Sequence, residues 1–408
     1  MKYEKKTIAQ LNKKNVLEIL RCRSPINKSR IAKLTELSIP TVMKITDEFM
    51  DSGLIRIAGK GKSCGGKPPE MLEIIPNAYY MLGVDIGRSK TISVIMNLEG
   101  EILNRKSMKT GETNPEGQLI DRVTELIFET ISEIEIPVKK ILGIGIVTPG
   151  LINNESGKII FSPDFHWVNI DLKKKIQKEL QMPVKIESSN RAMAIGEGWF
   201  GAAKDISNYI CFNLGHGIGS AIIENGKPYC GNSGSSGEIG HMTLERDGPM
   251  CECGNRGCLE ALASGNAIAE SAKREVKAGR LLSILSMENI DGDIEKIEAR
   301  DVFNAAKAGD ETAIKIVDKA TEYIGIGIAN YINLLDPEMI VFAGGMINAG
   351  KFFLDKLEYS IRKRRMKFAG RKVKFEVSRL GVDAAAIGAC TLILSEFIEQ
   401  GGRKKKGE

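Results

Sequence analysis

The chain has 408 residues, of which 42% are hydrophobic and 27% charged, a composition typical of globular proteins and unlike that of disordered or repetitive chains. Its length predicts two or three domains. No apolar run approaches the ~20 residues of a membrane span, and the polar first residues do not resemble a signal peptide, so we expect a cytoplasmic protein with no membrane partner.

Positive charge is concentrated near the N-terminus. Residues 1–75 hold 15 Lys/Arg and 8 Asp/Glu, an excess of +7, whereas the other 333 residues hold 43 and 44, a balance of −1. This asymmetry is expected of a nucleic-acid-binding head on a near-neutral body. A solvated basic surface would give the same numbers, so charge alone does not decide between the two interpretations.

Residues 1–76 predict a winged helix-turn-helix domain. After two short apolar helices, a third has Val42, Ile45 and Phe49 at three- and four-residue spacing, with Ser38 as its expected N-cap and Gly53 after its end. Two short strands then flank a loop rich in glycine and lysine. A small helical protein-interaction domain is the alternative.

The head also predicts its DNA contacts. The outer face of the third helix is expected to contact base edges, and the loop between the strands to contact phosphates. The expected DNA-binding residues are Thr41, Met43, Lys44 and Thr46 on the helix and Lys60, Lys62 and Lys67 in the wing.

From residue 77 onward the pattern is α/β. An apolar strand ends in Asp85 and Gly87 and is followed by a second strand, a unit that in the actin and hexokinase class holds phosphate and metal. Glycine-rich turns recur at residues 213–221 and 340–346. Each turn alone is a weak signal, and their order in one chain is what favours a nucleotide-type fold.

The most specific pattern is a cluster of one histidine and three cysteines. His241, Cys251, Cys253 and Cys258 have the ligand types and number of a closed tetrahedral zinc site. Two carboxylates that a structural zinc does not need, Glu238 and Glu260, lie in the same stretch, which indicates that the metal supports a binding site. A disulfide pair or free core thiols are the alternatives.

The chain resembles the ROK family (repressors, open reading frames and kinases) over nearly its full length. The matching segments are residues 161–163, 196–202, 237–241, 251–260, 333–338 and 384–389, with residues 65–68 in the wing resembling the family's sugar-responsive repressors. The resemblance implies a two-lobed actin-like, ribonuclease-H-like ATPase fold of the α/β class behind the winged helix-turn-helix. It implies a first lobe at 77–188 completed by 384–400, a second lobe with the zinc site at 189–383, sugar in the interlobe cleft, and a basic tail at 401–408.

The resemblance also shows where the kinase pattern is lost. Family kinases carry an Asn-Asp pair whose Asp takes the proton from the attacking hydroxyl; here Ser188 and Ser189 stand at those positions, so Ser189 occupies the kinase base position. In the first phosphate loop, with Asp85 and Gly87, Arg88 replaces a glycine. The second loop keeps its glycines but has a histidine where the kinases usually have threonine. Its glycines are Gly215 and Gly217.

The sugar-contacting positions are better retained. The resemblance assigns sugar contacts to Glu238, His241 and Glu260, with Ser188 and Ser189 at the altered positions. We therefore predict a non-enzymatic, sugar-responsive DNA-binding regulator, most simply a repressor of carbohydrate-utilisation genes. Its expected partners are Zn²⁺, operator DNA, a sugar effector and further copies of itself, as a homodimer or homotetramer. The alternatives are a bifunctional ATP-dependent sugar kinase and a DNA-binding protein with no effector.

Overall fold

A computed structural model describes residues 2–62, 68–111, 116–153, 156–367 and 372–404. The chain forms two compact units. The first unit comprises Met1–Ala192 together with Ala385–Glu408, and the second comprises Met193–Ala384. The N-terminal head therefore belongs by its contacts to the first unit.

The head contains three helices and a small antiparallel sheet of order β1-β3-β2, an arrangement that fits a winged helix-turn-helix. Its elements are α1 (Lys2–Arg23), β1 (Ile26–Asn27), α2 (Lys28–Thr35), α3 (Ile39–Asp51), β2 (Ile55–Lys60) and β3 (Glu70–Ile74). Strands β2 and β3 pair directly and form the wing.

The local signals for α3 are confirmed. The Ser38 hydroxyl accepts a hydrogen bond from the N–H of Thr41 at the start of the helix, at 3.3 Å. Val42 and Phe49 are buried, and Gly53 follows the helix with a φ of 70°. Ser38 and Gly53 therefore set the limits of the expected recognition helix, and both do so through local conformation alone.

The prediction for Thr46 is wrong. Its side chain is fully buried, and its hydroxyl donates to the carbonyl oxygens of Val42 and Met43, both at 2.9 Å. Position 46 lies four residues after Val42 and three before Phe49, which places it on the buried stripe of the helix. Thr46 therefore does not face DNA.

The other predicted contacts of the head are accessible where they are described. Met43, Lys44, Lys60 and Lys62 are exposed, and Thr41 is half-buried. Lys60 is the last residue of β2, not part of the loop as the sequence suggested. Lys67 lies outside the described residues.

The rest of the first unit is built on a five-stranded sheet of order β11-β7-β4-β5-β6. The three strands that lie between β7 and β11 in the sequence form a separate small sheet of order β10-β9-β8. Its strands are β4 (Tyr80–Ile86), β5 (Lys90–Asn97), β6 (Ile102–Lys109), β7 (Ile141–Thr148), β8 (Leu151–Asn153), β9 (Lys158–Ser162), β10 (Trp167–Ile170) and β11 (Val184–Ser188). Its helices are α4 (Glu116–Ser132) and α5 (Leu172–Leu180), and α6 (Ser189–Phe200) leads into the second unit.

The second unit has its own five-stranded sheet, of order β14-β13-β12-β15-β16, and a core that includes Phe212, Phe342 and Phe353. Its strands are β12 (Tyr209–Leu214), β13 (Ile218–Glu224), β14 (Lys227–Pro228), β15 (Met339–Ala343) and β16 (Lys374–Val377). Its helices are α7 (Leu259–Ala263), α8 (Gly265–Lys277), α9 (Ala299–Lys307), α10 (Glu311–Leu335) and α11 (Lys351–Arg364).

The last helix, α12 (Ala384–Glu399), packs against the sheet of the first unit. A Cβ added at Gly83 of β4 would lie 2.1 Å from the carbonyl oxygen of Ala386 on α12, so β4 must carry glycine at that position. Among the described residues, Gly381–Glu399 is long and apolar enough to cross a membrane, which corrects the statement that no apolar run approaches that length. Because 61% of that stretch is buried within the fold, its apolar character is that of a core helix.

A pair of glycines after α12 contacts the head. Gly401 and Gly402 have φ values of 65° and 77°, which glycine adopts without strain. A Cβ on Gly402 would lie 3.2 Å from Leu54, 3.3 Å from Phe49 and 3.6 Å from Leu17. The C-terminal residues therefore close one side of the apolar core of the head.

Candidate effector site and metal centre

The four predicted zinc ligands lie together in the second unit. The ligand atoms of His241, Cys251, Cys253 and Cys258 are all within 4.8 Å of one another. The Cys251 sulfur is 3.7 Å from Nδ1 of His241, and the Cys253 and Cys258 sulfurs are 3.7 Å apart. Zinc bonds of about 2.3 Å to sulfur and about 2.0 Å to nitrogen require ligand separations of about 3.5–3.8 Å in a tetrahedron, so the four residues fit a zinc ion.

The fold of the cluster depends on a tight backbone crossing. The N–H groups of Leu244 and Glu245 both donate to the carbonyl oxygen of Gly257, and a Cβ on Gly257 would lie 1.6 Å from the carbonyl oxygen of Glu245. Cys258 follows at once and precedes the first residue of α7. All three cysteines are free thiols, which removes the disulfide alternative for this structure.

The cysteine thiols differ in acidity. Burial raises the pKa of Cys258 to about 12 and also raises the pKa of Cys251. The pKa of the exposed Cys253 is lowered: burial acts in the opposite direction, but the N–H of Asn255 donates a hydrogen bond to its sulfur. A bound cation would therefore have to displace protons from at least two of the three thiols at neutral pH.

His241 connects the cluster with a carboxylate. Its Nδ1 faces the Cys251 sulfur, while its Nε2 lies 4.0 Å from Oε2 of Glu238. The two side chains are 37% and 55% exposed, respectively. One ring nitrogen thus belongs to the candidate metal centre, and the other faces the carboxylate at the accessible side of the site.

Glu260 connects the same cluster with the second glycine loop. Its Oε2 accepts a hydrogen bond from the N–H of Ile218 at 2.8 Å. A Cβ on Gly217 would lie 2.4 Å from that oxygen, so only glycine allows the approach. Within the loop, the N–H of Gly215 donates to the carbonyl oxygen of Gly217 at 3.0 Å. Glu238, His241, Glu260 and the loop are therefore one connected structure.

Sequence reasoning did not find Ser220. The Ser220 hydroxyl donates to the carbonyl oxygen of Gly237 at 2.7 Å, and the Ser220 N–H donates to the same oxygen at 3.2 Å. Gly237, the residue before Glu238, is thus held by a residue of β13 that lies 17 positions earlier in the chain, a contact that periodicity in the sequence does not reveal.

The altered kinase positions lie together in the first unit. Ser188 ends β11 and Ser189 begins α6. The Ser189 hydroxyl donates to Oδ1 of Asp85, at 3.2 Å, across 104 residues of sequence. Arg88, in the same loop as Asp85, forms an ion pair of 3.5 Å with Asp164. The structure therefore brings Ser189 into contact with the first phosphate loop.

Glu187, two residues before Ser189 in the chain, is paired with an arginine. It is buried and accepts hydrogen bonds from Nε and Nη2 of Arg191, at 2.8 and 2.6 Å, and from the N–H of Ser188. The Glu187 carboxylate is therefore held in place by its own neighbours along the chain.

Comparisons with known proteins agree with this arrangement. The ROK family model matches residues 81–396. The xylose repressor of Caldicellulosiruptor bescii is 33% identical over 96% of this chain and 97% of its own length. A glucokinase of Thermotoga maritima is 32% identical over 77% of this chain and 96% of its own.

The structural comparison extends to the head. The crystal structure of a ROK family transcriptional regulator, a homolog of the E. coli MLC protein, has a TM-score of 0.81 and 27% identity, covering 97% of this chain and 98% of that one. Because 97% of the chain is covered, the match must include the head. The body, with its glycine loops and its histidine–cysteine cluster, and the family model lead to one conclusion: the chain belongs to the ROK family.

Proposed function

We propose that the protein is a sugar-responsive transcriptional repressor of carbohydrate-utilisation genes. The observation that carries the proposal is coverage: the xylose repressor matches 96% of the chain, head included, whereas the glucokinase matches 77%. Because the relative is named for xylose, xylose is the first effector to test.

The DNA contacts follow from the exposed surface of the head. Thr41, Met43 and Lys44 on α3 are proposed to contact base edges, and Lys60 and Lys62 on the wing to contact phosphates, together with Lys67. Base contacts specify sequence, whereas phosphate contacts set affinity and register. Changing Lys44 should therefore alter sequence preference, and changing Lys62 should weaken binding to all sequences.

The body is proposed to bind sugar without phosphorylating it. A general base typically contributes about 10²–10⁴-fold to the rate, and Ser189 has no useful basicity near neutral pH. Asp85 accepts a hydrogen bond from the Ser189 hydroxyl, and Arg88 pairs with Asp164, so both of these polar groups of the first loop have partners elsewhere in the first unit. ADP release measured across hexoses and pentoses, with a ROK glucokinase as positive control, separates this proposal from a bifunctional kinase.

Zinc is proposed as the resident metal, held by His241, Cys251, Cys253 and Cys258. When bound, it would supply structural stabilisation and neutralise the thiolates. Glu238, His241 and Glu260 would then accept and donate hydrogen bonds to sugar hydroxyls in fixed directions, which suits discrimination of hydroxyl stereochemistry.

Paired heads are proposed because symmetric operators have two half-sites. The protein would act in the cytoplasm as a homodimer or homotetramer. Sugar binding would change operator affinity through a coupling of about 1–3 kcal/mol, equivalent to about 5–150-fold.

The decisive experiment has two stages. Genomic fragments retained by the protein are sequenced, and release from the recovered operator is then measured with a panel of pentoses, hexoses and amino sugars. Release by one sugar class, reduced in Glu238→Gln, supports the proposal. Tight operator binding that no sugar alters indicates a DNA-binding protein without an effector. If the protein retains no specific DNA fragment, the proposal that it is a transcriptional regulator is refuted.

A further inference from the structure

A second concentration of positive charge lies far from the head in sequence. Residues 362–374 contain eight Lys/Arg among 13 residues and no Asp or Glu. Outside the head the chain is otherwise slightly acidic, so this basic segment is exceptional. The balance of −1 over residues 76–408 hides this segment, because acidic residues elsewhere in that range offset its charge.

The basic segment joins two elements of the second unit. It begins in the last turn of α11 and ends in β16, the edge strand of the sheet. Lys363, Lys372 and Lys374 are exposed. Residues 368–371 are outside the described part of the chain.

Part of the charge in the segment has an internal explanation. Arg362 pairs with Glu358 at 3.1 Å, and Arg364 pairs with Glu322. Cations are also favoured at the C-terminal end of a helix such as α11. Neither explanation covers the lysines at the strand.

Three lysines of the basic segment lack acidic partners among the residues that the structure describes. Lys363, Lys372 and Lys374 form no ion pair with any residue that the structure describes. Tyr359, four residues before Lys363 and therefore on the same face of α11, is 70% exposed. This combination of unneutralised ammonium groups and an exposed aromatic ring is typical of surfaces that bind nucleic acid.

We propose that Lys363, Lys372 and Lys374 bind phosphates of the duplex DNA that flanks the operator. The inference rests on the proposed DNA-binding function. A polyanion of regular spacing fits point charges spread over a helix end and a strand edge better than a small ligand does. Once the head holds the operator, the flanking DNA is tethered to the same molecule, so a weak second contact gains a high effective concentration.

The test compares two duplexes with the full-length protein. One contains only the operator recovered above, and the other extends it by about 20 base pairs, about 70 Å, on each side. The binding constant of the wild type should fall more steeply with salt on the extended duplex than on the short one. In the triple variant K363Q/K372Q/K374Q, the slope of log K against log [salt] on the extended duplex should be shallower by about 2–3. On the short duplex the two proteins should bind alike.

A matched variant controls for lost charge. K307Q/K315Q/K351Q removes three exposed lysines of the same unit, and Lys351 lies at the opposite end of α11 from Lys363. This control should retain the steeper slope on the extended duplex, and all three proteins should have the same melting temperature.

Three results overturn the proposal while leaving the repressor function intact. The wild type could bind both duplexes with the same salt slope, or the triple variant could keep the extra slope on the extended duplex. In the third case, the three lysines are needed for binding to anionic phospholipid vesicles, measured by co-sedimentation, or for self-association, measured by sedimentation velocity, but not for binding to either duplex. Failure of the wild type to bind any operator instead refutes the proposed function itself.

Discussion

The first glycine loop and the histidine–cysteine cluster have changed to different degrees from the kinase pattern of the family. In the first unit, the Ser189 hydroxyl donates a hydrogen bond to Asp85, and Arg88 forms an ion pair with Asp164. In the second unit, Glu238 and Glu260 remain beside a cluster that fits zinc. Ser189 at the kinase base position belongs to the first unit, and the carboxylates Glu238 and Glu260 belong to the second, so the proposed function requires that the first position be altered while the other two are kept.

The largest expected effect comes from removing a ligand of the cluster. Cys258→Ser should abolish stoichiometric zinc binding and lower the melting temperature sharply, since structural zinc contributes about 10 kcal/mol or more. Zinc per chain by atomic absorption and thermal unfolding measure this. Cys22→Ser, an exposed thiol on α1, is the control and should retain the wild-type values. A full zinc equivalent in the Cys258 variant would show that the cluster is not the metal centre.

Acid should weaken the metal centre. Burial raises the pKa of Cys258 to about 12 and raises that of Cys251, so both thiols are protonated at neutral pH before metal binds. Zinc binding should release at least two protons at pH 7, and the affinity should fall as the pH falls because protons compete for the sulfurs. Calorimetry in buffers of different ionisation enthalpy counts the protons. An affinity independent of pH between 6 and 8 would contradict thiolate ligation by these residues.

Glu260→Gln tests whether the second unit retains sugar recognition. Glutamine keeps an oxygen to accept the N–H of Ile218 but removes the charge. Since hydrogen bonds to charged groups contribute about 1.5–3 kcal/mol, the sugar concentration needed for operator release should rise by about 10- to 150-fold. Glu252→Gln, an exposed carboxylate in the same cluster, should respond as the wild type does. Equal sugar sensitivity in both variants would remove Glu260 from the effector site.

A smaller effect is expected at the missing base. In the wild type the Ser189 hydroxyl lies 3.2 Å from Oδ1 of Asp85, so Ser189→Asp places a second carboxylate beside the first. We expect the repulsion between them to destabilise the fold by about 1–3 kcal/mol, with no gain of kinase activity. Urea unfolding should show that this loss diminishes as the pH falls and one carboxyl group is protonated. Ser189→Ala, which loses only the hydrogen bond, should cost about 1 kcal/mol at every pH. ADP release by the Asp variant would show that the first loop is still competent.

Local chemistry was predictable, and contacts between distant segments were not. Ser38 and Gly53 limit α3 through their own conformational preferences, and the spacing of the cysteines brings them to one point because a single tight turn connects them. Thr46 was misplaced because threonine is compatible with either face of a helix, and only its position relative to Val42 and Phe49 decides. The hydrogen bond between Ser189 and Asp85 joins segments 104 residues apart, which come together because of the order of strands β11, β7 and β4 in the sheet, and no local pattern contains that order.

The glycine pair after α12 has a consequence for how the protein is made. The head is synthesised first, yet Gly402, which covers Leu17, Phe49 and Leu54, is synthesised about 350 residues after the last of them. At about 5–20 residues per second, that apolar surface waits about 20–70 s for its cover during translation. A chain interrupted before Gly402 would therefore present an incompletely covered head, so a DNA-binding domain with its full apolar packing belongs only to molecules whose body has also been translated.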